Sequence, residues 1–262
     1  MFVTLLTDYG TRDAFAGVLH AVIARVAPDV RVIDLTHGIR RQDVVHGALV
    51  LAHTLPFAPA GVHVAVVDPG VGGRRRAVAL RTADEERLLV GPDNGLLLPA
   101  AERFGGVTEA VEISASPWRL EPVSATFHGR DVFAPVAARL AAGEPLADAG
   151  ARLDPAELVA LALPRAAVGD TVVATVAGVD GFGNVALHAG REDLAAAGLR
   201  LGRAVRIGGL AARYVRTFAD VEPGAALVYE NAVGLVTVAL NAGDAAAALG
   251  ARPGDRVELV PA

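Results

Sequence analysis

Residues 2–28, FVTLLTDYGTRDAFAGVLHAVIARVAP, join two regular elements through a polar loop. The apolar run FVTLL is typical of a short buried strand, and it ends at the glycine-containing loop TDYGTRD. Apolar side chains then recur at helical spacing from Phe15 to Val26, and Pro28 closes that element. A strand followed by an amphipathic helix is the building unit of an α/β layer.

The same alternation continues through the first half of the chain. Strand patterns are VRVIDL, VHVAVV, AVALRT, RLLVG and VTEAVEI, of which AVALRT and RLLVG form a hairpin-like pair. Helical patterns are DVVHGALVLAHTL, NGLLLPAAERF and RDVFAPVAARLAAG. We therefore predict an N-terminal α/β domain over residues 1–160, with a mostly parallel sheet.

The pattern changes near residue 168, where short strand-like pieces are divided by Gly, Asp and Asn. Only REDLAAAGL and DAAAALG indicate helices in this part of the chain. We predict a smaller antiparallel, barrel-like β domain over residues 161–262. The domain join is expected in LDPAELVALALPRAAVGD, which contains Pro155 and Pro164.

Composition excludes several chemistries. The net charge is −5 and the 24 basic residues, all of them Arg, are scattered, which disfavours nucleic acid and anionic membranes as partners. Without Lys there is no Walker-type or Schiff-base lysine, and without Cys there is no thiolate nucleophile, disulfide or thiolate metal site. The apolar start MFVTLLTDYG is too short for a membrane span or a signal peptide, so a cytoplasmic location is expected.

Acidic residues follow three predicted strands, at the edge where α/β sheets bind ligands. Asp8 and Asp13 lie in TDYGTRD, Asp34 lies in DLTHG, and Asp68 lies in VVDPGVGG. Any one of them is equally well explained as a helix cap or a turn residue. Acids at successive strand ends favour a shared functional rim.

Residues 63–78, HVAVVDPGVGGRRRAV, set Asp68 in a flexible turn ahead of three arginines. A simple turn needs no such arginine run. A second loop, SATFHGRDVFAP, carries His128 beside a Gly-Arg-Asp sequence that opens a helix. Taken alone, His128 is more typical of a hydrogen-bonded structural histidine than of a catalyst.

Two turns of the β domain are further candidates. VDGFGNVALH sets Asp180, Phe182 and Asn184 around two glycines, which is typical of a β-turn. A flat aromatic ring beside an amide also suits the face and edge of a purine. In YENAVGLVTVALN, Asn231 marks another turn.

Taken in order, six motifs resemble the S-adenosyl-L-methionine (SAM) hydroxide adenosyltransferases, relatives of the SAM-dependent fluorinases and chlorinases. The motifs are LLTDYGTRDAFAG, VVDPGVGGRRR, GPDNGLL, TFHGRDVFAP, VDGFGN and ENAVGL with ALNAG, which together cover nearly the whole chain. The resemblance implies hydrolysis of SAM to adenosine and L-methionine by water attack at the ribose C5′. It implies no cofactor, no metal, and a homotrimer whose site lies between one subunit's N-terminal domain and its neighbour's C-terminal domain.

The resemblance also assigns residue roles. Asp68, Arg75 and His128 would handle the water, and Asp8 would bind the ribose hydroxyls. Arg75 is chosen by alignment, with Arg74 and Arg76 as alternatives one position away. The remaining substrate residues would be Asp13 and Asp180 at the methionine end and Phe182, Asn184, Phe218, Asn231 and Ala242 around adenine. Where the family has small hydroxyl residues after the Asn, this chain has Ala232 and Val233.

The implied chemistry agrees with the residues present. SAM carries a neutral thioether as its leaving group, so neither a metal nor a general acid is needed. A carboxylate at position 68 would repel halide and so favours water over a halogenase reaction. Alternatives from other classes are a non-catalytic SAM or adenosine sensor, and a metal-dependent hydrolase that uses Asp8, Asp34, His37 and Asp68 as ligands.

Overall fold

The computed structural model describes all residues from Met1 to Ala262. The chain forms two compact units, Met1–Ala162 and Leu163–Ala262. None of the helices in either unit is long and apolar enough to cross a membrane.

The first unit is built on a seven-stranded sheet in the order β2-β1-β3-β5-β4-β6-β7. Its strands are β1 (Phe2–Thr7), β2 (Arg31–Thr36), β3 (Val62–Val66), β4 (Ala77–Thr82), β5 (Leu88–Pro92), β6 (Val107–Glu112) and β7 (Ala151–Leu153). Its α-helices are α1 (Phe15–Val26), α2 (Val44–Thr54), α3 (Leu98–Glu102) and α4 (Ala134–Ala141). Strands β2, β1, β3 and β5 are mutually parallel, whereas β4, β6 and β7 join by antiparallel pairing.

Helices cover both faces of this sheet, because successive side chains of a strand point to opposite sides. Leu5 of β1 belongs to the core that includes α1 and α4, and the next residue, Leu6, belongs to the core that includes α2 and α3. Both leucines are fully buried. The predicted α/β layer is therefore confirmed.

The second unit is a closed barrel of seven strands, in the order β9-β10-β14-β13-β12-β11-β15 and back to β9. The strands are β8 (Ala167–Val168), β9 (Val172–Val179), β10 (Val185–Leu187), β11 (Ala204–Ile207), β12 (Leu210–Tyr214), β13 (Ala226–Glu230), β14 (Val236–Leu240) and β15 (Arg256–Pro261), with helices α5 (Arg191–Ala196) and α6 (Ala245–Leu249). Strand β8 pairs only with β9 and stands outside the closed ring. Every barrel pairing is antiparallel except β12 with β13, so the predicted barrel-like domain is confirmed.

Candidate active site

The strand order of the first unit brings two predicted loops side by side. Strands β1 and β3 are parallel neighbours, with Thr7 opposite Val66 at their carboxyl ends. Asp8 and Asp68 follow these two ends, and the backbone N–H of Asp8 donates to the carbonyl of Val66 over 3.4 Å. This is the edge at which parallel α/β sheets hold ligands.

Asp68, Arg75 and His128, here called the Asp–Arg–His set, form one hydrogen-bonded chain. Arg75 donates its Nε to both carboxylate oxygens of Asp68 over 3.0 Å, and its Nη2 also donates to Oδ2. The same Nη2 lies 2.8 Å from Nδ1 of His128. Because a guanidinium only donates, Nδ1 of His128 is the acceptor, and the neutral ring therefore carries its hydrogen on Nε2.

Close contact between the two loops depends on Gly72. A Cβ at this position would lie 2.2 Å from the carbonyl oxygen of Ala125, and the backbone has φ of +73°. Any other residue would meet both a clash and an unfavourable backbone conformation. The glycines after Asp68 thus let the arginine-bearing loop pack directly against the loop that carries His128.

The surroundings keep His128 uncharged near neutral pH. Burial lowers the pKa of His128 below its ordinary value and the positive charge of Arg75 lowers it further, against weaker opposing effects of Asp68 and Asp131. The guanidinium of Arg75 lies over the ring of Phe133, 5.4 Å from its centroid. The side chains of Asp68 and Arg75 are only 6% and 10% exposed, so their charges interact away from bulk water.

Tyr9 is a residue of this region to which the sequence motifs assign no role. Its ring packs against Phe15 and Phe127, at centroid distances of 5.8 and 5.9 Å. Burial raises the pKa of Tyr9 well above its ordinary value, and the charges of Asp8 and Asp68 add to that effect. A Cβ at Gly129 would lie 2.4 Å from the Tyr9 hydroxyl, which explains the glycine after His128. An aromatic residue within a polar strand-end loop was the available signal.

The structure distinguishes the three consecutive arginines. Arg75 contacts Asp68, whereas Arg76 pairs with Asp93 over 2.8 Å and reaches Glu157 over 3.3 Å. Arg74 is exposed to solvent. Alignment and geometry therefore select the same arginine, although its part in a reaction stays a prediction.

The second unit has an open groove of about 790 Å³, here called the barrel groove. It is lined by Asp180, Phe182, Asn184, Phe218, Leu240, Ala242, Gly243 and Asp244. Five of these eight were predicted substrate residues. The ring of Phe182 is 82% exposed, and the volume is within the usual range for small-molecule sites.

Hydrogen bonds within the turn hold the groove's polar side chains. Oδ1 of Asp180 accepts from the backbone N–H groups of Phe182 and Asn184 over 2.9 Å, and Oδ2 accepts from the Asn184 amide over 2.8 Å. The β-turn interpretation of this stretch therefore describes its local geometry. The turn presents the ring of Phe182 to solvent.

The predicted residues Asn231 and Asp13 do not line the barrel groove. Oδ1 of Asn231 accepts from the backbone N–H groups of Val233 and Leu235 over 3.0 Å, and Asn231 lines a separate groove. Asp13 is exposed in the loop that precedes α1.

The groove also contains Asp244, which sequence reasoning missed. Asp244 caps α6 by accepting from Ala247 N–H over 2.8 Å. Its position two residues after Ala242, at the start of a helical pattern, was the available signal. Ala242 itself has φ of +57°, an uncommon conformation for alanine that sets the bend of the chain here.

The ligand set of the metal-hydrolase alternative does not come together. Asp68 is bound by Arg75, and Oδ2 of Asp8 accepts from Gln42 N–H over 2.8 Å. Asp34 and His37 cluster with His20 instead, and neither Asp8 nor Asp68 belongs to that cluster. The alternative therefore loses its proposed four-ligand site.

An α/β unit with a partly buried Asp–Arg–His set, followed by a seven-stranded barrel with an aromatic groove, defines a two-domain enzyme class. The chain belongs to the SAM hydroxide adenosyltransferase family. The model of that family's N-terminal domain matches residues 3–150, and the model of its C-terminal domain matches residues 174–258.

Similar curated proteins span the whole chain. The chain is 51% identical to the (R)-S-adenosyl-L-methionine hydrolase of Salinispora tropica, covering 98% of this chain and 97% of that protein. The protein of the same name from Thermus thermophilus is 39% identical, with coverages of 98% and 99%. A fluorinase of Actinopolyspora mzabensis is 29% identical, with coverages of 92% and 90%.

Two solved structures share the fold. An uncharacterized conserved protein from Thermotoga maritima superposes with a TM-score of 0.88 at 36% identity, covering 99% of this chain and 100% of that one. A conserved hypothetical protein from Thermus thermophilus superposes with a TM-score of 0.75, also at 36% identity, with coverages of 98% and 99%.

Proposed function

We propose that this protein hydrolyses SAM to adenosine and L-methionine by direct attack of water on the ribose C5′. The observation that carries the proposal is the partly buried chain of hydrogen bonds from Asp68 through Arg75 to His128. Family membership and full-length similarity to proteins named (R)-S-adenosyl-L-methionine hydrolase support the same substrate.

The reaction is a displacement at carbon. The water oxygen bonds to C5′ while the bond from C5′ to sulfur breaks, and its electron pair stays on sulfur as the neutral thioether of methionine. One proton passes from the water to the Asp68 carboxylate that holds it, and from there to solvent. Because the oxygen becomes hydroxide-like as it approaches the sulfonium cation, charge is neutralised in the transition state, which a site shielded from bulk water favours. The protein must mainly hold the oxygen in line with C5′.

Asp68 is the group best suited to hold that water. Both of its oxygens accept from Arg75, Oδ2 twice and Oδ1 once, so Oδ1 keeps a second lone pair for a water hydrogen. The fixed guanidinium keeps the carboxylate from rotating and offsets the negative charge that develops on the water oxygen.

His128 has a different part in this proposal. Its Nδ1 already accepts from Arg75, so it takes up the released proton only when that contact breaks. While the contact lasts, His128 holds Arg75 against Asp68, and its Nε2–H is free to donate to the water oxygen.

Substrate binding would be shared between the first unit of one subunit and the second unit of a neighbouring subunit. Asp8 is assigned to the ribose hydroxyls and the barrel groove to adenine, with Phe182 and Phe218 as apolar walls. Asp13 and Asp180 are assigned to the methionine end.

We further propose a homotrimer in which each site combines residues of two subunits, with neither metal nor cofactor required. Light scattering of the purified protein measures the trimer mass directly. The cytoplasmic location stays a prediction.

The decisive experiment is turnover of SAM in ¹⁸O-labelled water, with a chelator present and products followed by mass spectrometry. We expect free methionine and adenosine with the label on its 5′ oxygen, and product formation at least about 100-fold slower with Asp68→Asn. Unlabelled adenosine would contradict direct attack by water. SAM recovered intact but bound would support the sensor instead, and 5′-halogenated adenosine formed faster in halide would support the halogenase.

A further inference from the structure

Three side chains at the sheet edge that carries β2 form a cluster outside the Asp–Arg–His set. His20 lies on α1, Asp34 lies in β2, and His37 directly follows that strand. Oδ1 of Asp34 is 2.8 Å from Nε2 of His20 and 3.0 Å from Nε2 of His37. The three potential ligand atoms all lie within 4.8 Å of one another. They converge on one point from three separate segments of the chain.

His37 supplies a second, independent observation. The residue is only 6% exposed, and its Nε2 is buried without a hydrogen bond. The nearby Asp34 oxygen is close enough, but it does not approach in the direction that a ring N–H bond requires. A buried, unpaired ring nitrogen is rare in folded proteins, and it needs a partner that the protein atoms do not provide.

The other nitrogen of His37 is held in place. Nδ1 lies 2.8 Å from Oγ1 of Thr7, at the end of the neighbouring strand β1. Histidines that bind metals commonly use their second nitrogen in this way, since the outer contact fixes the orientation of the ring. The contact turns Nε2 toward Asp34 and His20.

The donor set is that of a borderline transition metal. Two imidazole nitrogens and one carboxylate oxygen suit Zn²⁺, whereas Mg²⁺ and Ca²⁺ prefer oxygen ligands alone. Three protein ligands and one water complete a tetrahedral zinc site. At the usual zinc–ligand distances the ligand atoms stand roughly 3.4 Å apart, so the Asp34 oxygen would move away from the two histidine nitrogens by about half an ångström.

An ion can reach the cluster from solvent. The side chains of His20 and Asp34 are 38% and 44% exposed, whereas that of His37 is 4% exposed. One ligand is thus fixed in the protein interior, and the other two can adjust around an arriving ion. The open side leaves room for the fourth, water ligand.

We propose that His20, Asp34 and His37 bind a divalent transition metal ion of the Zn²⁺ type. This site goes beyond the proposed hydrolysis and takes no part in its chemical step, since none of its residues belongs to the Asp–Arg–His set. It ties α1 to the end of β2 and to the segment that follows. In that segment Gln42 N–H donates to Asp8, so a bound ion would stiffen the backbone that holds Asp8.

The test is a binding measurement on the whole protein after chelator treatment. Calorimetric titration with Zn²⁺ should show one site per chain, and Co²⁺ should give the intense visible absorption of a tetrahedral complex. Asp34→Asn and His37→Gln should weaken Zn²⁺ binding by more than about 100-fold, since loss of an outer-shell partner alone costs roughly 10–100-fold. His53→Gln, which removes a half-buried histidine of α2, is the matched control and should bind as the wild type does.

His20→Gln keeps the test decisive if the buried variant His37→Gln fails to fold, because His20 is partly exposed. It should also lose binding while its unfolding temperature without metal stays close to wild type. No Zn²⁺ binding at millimolar concentration, or equal binding by wild type and His20→Gln, would overturn the proposal. Because the readout is metal binding and not SAM turnover, failure of this site and failure of the proposed hydrolase remain distinguishable.

Discussion

The Asp–Arg–His set and the barrel groove differ in their exposure to solvent and in how far hydrogen bonds fix their side chains. Asp68 and Arg75 are nearly buried, and each is held by hydrogen bonds to the other before any ligand arrives. Phe182 of the barrel groove is 82% exposed, and the hydrogen bonds of its turn fix the backbone rather than the ring. Reacting charges must be oriented in advance, because reorganising them during the reaction raises the activation free energy of the chemical step. An aromatic binding wall needs only to be present and accessible.

The largest effect on activity should come from a substitution in the Asp–Arg–His set, whose charges are oriented before the ligand binds. Asp68→Asn keeps the shape of the side chain but removes its charge and its strong pairing with Arg75, so we expect kcat to fall about 10²–10⁴-fold. Asp29→Asn, at an exposed turn of the same unit, is the matched control and should leave kcat unchanged. The measurement is adenosine release at saturating SAM. A fall of less than about tenfold would remove Asp68 from the chemistry.

The next prediction concerns the free energy of unfolding, which a buried histidine of the α/β unit should make dependent on pH. His63 is fully buried, and burial, with the charge of Arg87, lowers its pKa to about 3. Between roughly pH 6.5 and pH 3 the unfolded chain binds a proton that the folded protein does not, so the free energy of unfolding falls as the pH falls. From about pH 7 to pH 5 the loss from this group should be about 2 kcal/mol.

Urea unfolding at the two pH values measures that loss. Nδ1 of His63 lies 2.9 Å from the Thr4 hydroxyl, so His63→Gln should lower the stability at pH 7 yet show a weaker dependence on acid. An identical acid dependence in the variant would contradict the assignment to His63.

A smaller effect should come from the barrel groove. Phe182→Ala removes an exposed ring, and aromatic contacts contribute about 0.5–1.5 kcal/mol, so KM for SAM should rise roughly twofold to tenfold with kcat nearly unchanged. Phe57→Ala, which removes a ring that is 87% exposed in the first unit, is the control and should change neither constant. If Phe182→Ala lowered kcat as much as Asp68→Asn does, the barrel groove could not be assigned to binding alone.

The smallest effect is expected in the acid limb of the pH profile of kcat/KM. Because burial and Arg75 lower the pKa of His128, less than half of it is protonated at about pH 6.5. We expect kcat/KM to decline by less than about twofold from pH 7.5 to pH 6.5 and to fall steeply only in more acidic solution. His128→Asn should lack that limb. A limb with its midpoint above about pH 6.5 would show that the pairing with Arg75 does not govern His128.

Many of the helices and strands could be predicted from local sequence patterns. The apolar spacing from Phe15 to Val26 predicts α1 with the bounds that the structure shows, and the short apolar runs predict β1, β2 and β3. These elements follow from local periodicity and turn residues, which depend only on neighbours along the chain. The change to short strands after residue 168 likewise indicates a barrel-like domain, which the structure confirms.

Pairing between distant segments could not be derived in this way. The position of β5 between β3 and β4, and the parallel pairing of β12 with β13, depend on contacts that no local pattern records. The family motifs supplied the candidate residues, but their meeting is a matter of packing. Asp180, Phe182 and Asn184 are close in sequence and meet in one groove, whereas Asn231 lines another.

The sequence alone indicated which types of residue the candidate site contains: a carboxylate, a run of arginines and a histidine, all in polar loops. Tertiary packing decided that Arg75 rather than Arg76 contacts Asp68, and it placed the loop containing Gly72 against Ala125. It also gathered His20, Asp34 and His37, which sequence reasoning had not grouped together. Hydrogen bonding and metal binding depend on separations of a few ångströms between side chains, and only the folded backbone sets those separations.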